Sequence, residues 1–162
     1  GIQMVGVLDE DNMATDSNVN FATQQYIKAY VDTRGVTAYE ALPNLTADAT
    51  GLAIRDVVAI IASGANAGKA TKGNAATIAN GQVLGFAPAA IAGGAVGKVA
   101  QSGVLGGFSG LTAGARYYLS ATSAGAIVDT PPTGANNVIV QVGYALSAST
   151  LAIAPMFIAE ID

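Results

Sequence analysis

Cysteine, histidine and tryptophan are all absent from this 162-residue chain. Without thiols or imidazoles there are no disulfide staples, no thiolate or imidazole metal sites, and no histidine-based acid–base or Ser-His chemistry. Charge is also scarce: charged residues make up 11% of the chain and the net charge is −4. The seven basic residues (Lys28, Arg34, Arg55, Lys69, Lys72, Lys98 and Arg116) are spread along the whole length. A nucleic-acid surface needs clustered Lys and Arg to neutralise phosphates, so nucleic acid is not expected as a partner. No uninterrupted apolar run reaches the roughly 18 residues needed to span a bilayer, so membrane insertion is not expected either. No secretory-signal pattern is read in these residues, so secretion is not expected from them. The chain opens with Gly1 instead of Met, which leads us to expect an upstream portion.

What remains is small and weakly polar: Ala, Gly, Ser and Thr dominate, with 20 glycines. A surface built from such residues suits a protein that buries much of itself against neighbouring chains. Two compositional zones follow. Residues 1–45 hold long polar side chains, including Gln24, Gln25 and Glu40, and an acidic cluster in "LDEDNMATDSN" (8–18). That cluster lacks the central Gly and terminal Glu of a calcium-binding helix–loop–helix, so it reads as a solvated loop. Residues 46–162 are apolar and punctuated by glycine.

The one helical pattern is "ATQQYIKAYVDTRG" (22–35), in which Tyr26, Ile27, Tyr30 and Val31 form a single apolar stripe. Thr23 is placed to cap its start and Gly35 to end it. A helix of about three turns is marginal alone in water, so the stripe must pack on something. Either the rest of the chain or equal copies around a shared axis would serve.

Beyond residue 50 the period changes to that of strands. "DVVAII" (56–61), "KATKGN" (69–74), "QVLGFA" (82–87), "GKVAQSGV" (97–104), "ARYYLSA" (115–121), "AIV" (126–128), "NVIVQVGYAL" (137–146) and "TLAIA" (150–154) are separated by turn residues. About eight short strands at roughly ten-residue spacing predict an antiparallel β-sandwich or barrel. Gly85 and Gly143 each precede an aromatic residue inside a strand, where glycine marks a bulge or a close backbone approach.

"ASGANAGKATKG" (62–73) superficially resembles a phosphate-binding loop. Such a loop needs four residues between its glycines, a Ser or Thr after the lysine, and a helix beyond it. Here Gly64 and Gly68 enclose three residues, Ala70 follows Lys69, and the continuation alternates like a strand. Residues 62–68 therefore predict a hairpin loop between the strands "DVVAII" and "KATKG", with Lys69 and Lys72 facing solvent. Other chemistry is equally thin. No S-x-x-K pattern accompanies Ser102, Ser109 or Ser120, and Asp129 before Pro131 and Pro132 reads as turn chemistry. Asp56, Asp129 and Glu160 could be paired carboxylates only if the fold brought them together. No cofactor and no enzymatic activity are expected.

Two stretches resemble tailed-bacteriophage fibre proteins. "DEDNMATDSNVNFATQQYIKAYVD" (9–32) is similar to a segment recurrent in those proteins, most closely over Ala22–Asp32. Downstream, "GLTAGARYYLS" (110–120), "TPP" (130–132) and "VGYALSASTLAI" (142–153) look like a β-module of phage fibres and related virion proteins. The resemblance implies a homotrimer in the virion. Residues 1–45 would form a stalk whose helix (about 22–34) bundles three chains through Tyr26, Ile27, Tyr30 and Val31, with residues 46–162 as the β-module. Tyr26 departs from the smaller residue expected in that helix. The implied function is adsorption to a host surface, through a cell-surface glycan or protein, with other virion proteins held by the upstream region. The alternatives are a head fibre or capsid-decoration trimer and, more remotely, a polysaccharide depolymerase, for which six Tyr, four Phe and no Trp make a poor aromatic platform.

Overall fold

A computed structural model describes residues 39–162. The expected helix, with Tyr26, Ile27, Tyr30 and Val31, lies outside the described residues. Those residues form nine strands and, among them, no helix. The strands are β1 (Tyr39–Thr46), β2 (Val57–Ile60), β3 (Ala70–Lys72), β4 (Val83–Phe86), β5 (Val96–Gly106), β6 (Arg116–Leu119), β7 (Ile127–Val128), β8 (Val138–Ala145) and β9 (Thr150–Glu160). All belong to one antiparallel sheet in the order β3-β2-β4-β5-β9-β8-β6-β7, with β1 paired to β5.

β2 to β9 each coincide with an expected strand, but β1 has no counterpart among them and β9 runs six residues past Ala154. Proline accounts for both differences. In β9, Gln141 pairs with Met156 and Gly143 with Ile153, so Ala154 and Pro155 together oppose Val142. Pro155 therefore sits in a bulge, where its missing N–H removes no ladder bond. In β1, Leu42 pairs with Val99 and Leu45 with Gly97, which places Pro43 and Asn44 opposite Lys98 in a second bulge. A proline that ends a strand when read along the sequence is absorbed when the partner strand is one residue shorter.

The sheet is rolled around its core. Val57, Phe86, Leu105, Tyr117, Leu119, Val138, Val140, Val142 and Leu151 come from six different strands and form one buried cluster. The segment after β3 draws the two ends of the sheet together. The Val57 N–H donates to Gly125 O (2.8 Å), Gly125 N–H to Gly73 O (2.8 Å), Ala75 N–H to Ser120 O (3.0 Å) and Val138 N–H to Ala75 O (2.8 Å). These bonds satisfy backbone groups that would otherwise be buried unpaired.

A second cluster lies on the other face of β2, β4 and β5. Val58, Ala70 and Val99 are covered there by Ala47, Leu52, Ala87 and Ile91 from the flanking loops. The neighbours Val57 and Val58 thus enter different clusters, as do Phe86 and Ala87. This is why Val57, Val58 and Ala59 are apolar in succession instead of alternating: all three are buried.

The two strand glycines mark close approaches. A Cβ on Gly85 would lie 1.9 Å from the Ala100 carbonyl oxygen, and one on Gly143 would lie 2.2 Å from that of Ala152. The pairing shifts register beside both, between Val58 and Ala59 opposite Gly85 and between Gln141 and Gly143. The aromatic residue after each glycine points to a different fate. Phe86 is fully buried, whereas Tyr144 stands outside with 45% of its surface exposed.

Candidate functional site

The phosphate-loop lookalike is a hairpin. β2 and β3 pair from Val58↔Lys72 to Ile60↔Ala70, the Ile61 N–H donates to Lys69 O (3.0 Å), and the Gly68 N–H donates to Ile61 O (2.9 Å). Gly64 and Gly68 both have φ of 82°, which glycine tolerates without a Cβ penalty. The Lys69 ammonium donates to Asn66 Oδ1 at 2.9 Å within the same loop. Lys72 departs from expectation. It lies on β3, inside the expected strand 69–74, but its ammonium is 3.1 Å from Asp56 Oδ2, so it is ion-paired and not a free solvent-facing charge. The other Asp56 contact, an Ala53 N–H donated to Oδ2 at 2.7 Å, fixes the turn before β2.

Among the described residues no three acidic side chains converge on a metal-sized site. Asp56 is occupied by Lys72 and the Ala53 amide. Asp129 accepts from the Thr130 hydroxyl at 3.2 Å, as expected of a turn residue, and Glu160 ends β9 opposite Val138. Among the described residues, Asp48 is the carboxylate with the fullest set of local donors. It accepts from the Thr50 amide and hydroxyl (2.8 and 2.6 Å) and from the Thr71 hydroxyl (2.5 Å). Burial pushes its carboxyl up, but the bonds from Thr50, Thr71 and the Gly51 amide outweigh that and hold it below the ordinary carboxylate range. Its role is to tie the loop after β1 to β3.

The feature that local structure leaves unspent is apolar. Met156, Phe157 and Ile158 are consecutive on β9 and stand 53, 50 and 46% exposed. Consecutive strand residues point to opposite faces, so β9 presents apolar side chains on both sides here. The backbone geometry explains how this half of β9 comes to be open. β5 pairs β1 along one edge; on the other it meets β4 at Phe86↔Ala100 and then β9 from Gly103↔Ile153 to Gly106↔Thr150. β4 and β9 thus share one edge of β5 and part where β9 leaves it. Beyond Ile153, β9 is paired only to β8 among the described residues.

The parting leaves a cleft of about 230 Å³ between Gln82 and Val83 on one side and Pro155, Met156 and Phe157 on the other. Val140 forms its floor and Ile78 its rim. Ile78 is itself 46% exposed, so it extends the apolar strip across the cleft. Among the described residues this half of β9 thus has one open edge and two apolar faces, and no charge lies from Leu151 to Ala159. The sequence signal for it, the run "MFIA" after Pro155, was hidden by reading the strand as ending at Ala154.

No protein-family profile and no curated protein sequence matches this chain.

Proposed function

We propose that this chain is a region of a bacteriophage virion, a trimeric fibre of the tail-fibre type that takes part in adsorption to a host surface and carries no chemistry of its own. The observation that carries the reading is the apolar strip of Met156, Phe157 and Ile158 on the open half of β9, which a lone chain leaves in water. Three copies around an axis would cover it. The resemblance of "ATQQYIKAYVD" and "GLTAGARYYLS" to fibre segments supports the same conclusion, as does a charge content of only 11%. In this reading the helix stripe of Tyr26, Ile27, Tyr30 and Val31 bundles the three chains, and the β-module rolls into a barrel closed by the Val57–Gly125–Gly73 hydrogen bonds. Loops on that rigid scaffold would touch the host, and three-fold repetition would raise weak contacts to useful avidity.

Mass in solution tests the reading. Light scattering should return three chain masses of 16.0 kDa. A stable monomer refutes it. Replacing Met156 and Ile158 with Asp should dissociate the trimer if the β-module holds it, and replacing Ile27 and Val31 with Asp should do so if the helix does. Assembly that survives all four changes would remove both proposed interfaces.

A further inference from the structure

We propose that the concavity around Arg55 is a ligand site for a small carboxylate that also carries hydroxyl donors, the chemistry of a uronate sugar. Arg55 stands where the backbone does not favour it. The Asp56 N–H donates to Ala53 O at 3.2 Å, which makes Ile54 and Arg55 the central pair of a turn, and Arg55 has φ of 68°. A positive φ at the second central position of a turn calls for Gly or Asn, because a longer side chain is strained there. Strain of this kind gathers at functional sites, where the surroundings over-determine it. Here the Arg55 N–H is held by Ala87 O at 2.7 Å.

The guanidinium gains position from its placement. Its central carbon lies 5.9 Å from the centre of the Phe108 ring. Phe108 in turn meets the fully buried Phe86 edge-on, with centroids 6.0 Å apart and planes at 88°. Gly107 admits the approach, since a Cβ there would lie 2.6 Å from Arg55 Nη1. The group is half-buried and fixed against an aromatic face, yet among the described residues no carboxylate lies within ion-pair reach of it. It opens onto a concavity of about 500 Å³ lined by Phe108, Ser109, Leu111, Tyr117 and Asp129. That volume falls within the usual range for small-molecule sites, roughly 300–1,000 Å³.

The lining selects the ligand class. A guanidinium offers a planar fork that matches a carboxylate in two parallel bonds. A dianion such as phosphate is disfavoured, because Asp129 shares the cavity and the chain is already at −4. Asp129 is exposed and its carboxylate can accept hydroxyl donors from the far end of the ligand. Phe108 and Leu111 provide apolar wall for a C–H face. As a receptor pocket the site rests on the adsorption reading, but as a carboxylate site it does not, and its test leaves the mass measurement untouched.

The full chain is titrated with galacturonate, galactose and acetate and followed by NMR and calorimetry. Galacturonate should bind with an affinity on the order of 1 mM, and galactose and acetate about tenfold or more weakly. Arg55→Gly relieves the turn, so it should melt at the same temperature or higher while losing galacturonate binding at least about tenfold. Asp129→Asn, at an exposed position, should weaken binding severalfold and leave melting unchanged. The inference is overturned if galacturonate does not bind, if galactose binds as well, or if Arg55→Gly keeps its affinity. A lower melting temperature for Arg55→Gly would also overturn it, by assigning the arginine to holding the loop.

Discussion

Replacing Gly85 with alanine should cost far more than replacing the glycines of the β2–β3 hairpin. The added methyl would sit 1.9 Å from the Ala100 carbonyl oxygen and 2.8 Å from its carbon. Ordinary C···O contacts begin at about 3.3 Å, so the overlap is about 1.4 Å, and it falls on backbone that cannot rotate away. Relief requires β4 and β5 to separate. That breaks Phe86↔Ala100, the registered pair between them, and loosens the packing of fully buried Phe86. Overpacking contributes about 1–3 kcal/mol and buried backbone groups left unpaired about 1–3 kcal/mol more, giving about 2–6 kcal/mol in sum. Gly68→Ala provides the control: φ is 82° and nothing lies within 4 Å of the added methyl, so only the backbone penalty of about 1 kcal/mol applies. Urea unfolding followed by circular dichroism, at one fixed protein concentration because association shifts the midpoint, measures both. Equal midpoints for the two variants would refute the argument that close strand approach, rather than turn geometry, requires Gly85.

Asp48→Asn keeps an acceptor but removes the charge. Because the folded carboxyl is held below its ordinary value, its contribution is complete above about pH 4 and is lost as pH falls through the lower folded value. The wild type should therefore melt higher than the variant at pH 7, with the difference closing in acid; a difference independent of pH would contradict it. Lys69→Ala removes one exposed loop bond to Asn66 and should leave melting and solution mass unchanged, and any measurable ATP binding lost on that change would overturn the hairpin reading. Phe86→Ala should cost about 3–5 kcal/mol in urea unfolding, since the ring is fully buried and also seats Phe108; a loss below about 1 kcal/mol would mean the core is not organised around it.

The positions of β2 to β9 were legible along the chain because each is a short apolar or alternating run between turn residues, and that signal is local. Gly85 and Gly143 were legible as close approaches for the same reason: glycine inside a strand has few other uses. β1 and the outer half of β9 were not, because Pro43 and Pro155 argue against a strand unless the partner supplies a bulge. The ion pair of Lys72 was not legible, because its partner, Asp56, lies 16 positions earlier and reaches it only through the β2–β3 pairing.

The sequence by itself determined that this is a charge-poor β-protein without thiol or imidazole chemistry, and where most of its strands lie, since composition and period act over a few residues. Only the tertiary structure decided that β4 and β9 share one edge of β5, so that Met156, Phe157 and Ile158 are exposed in the single chain. It alone also brought Arg55, Phe108 and Asp129 around one concavity. Both depend on which strand takes a given edge, and residues distant in the chain compete for that edge through register, bulges and buried area, none of which a local pattern records.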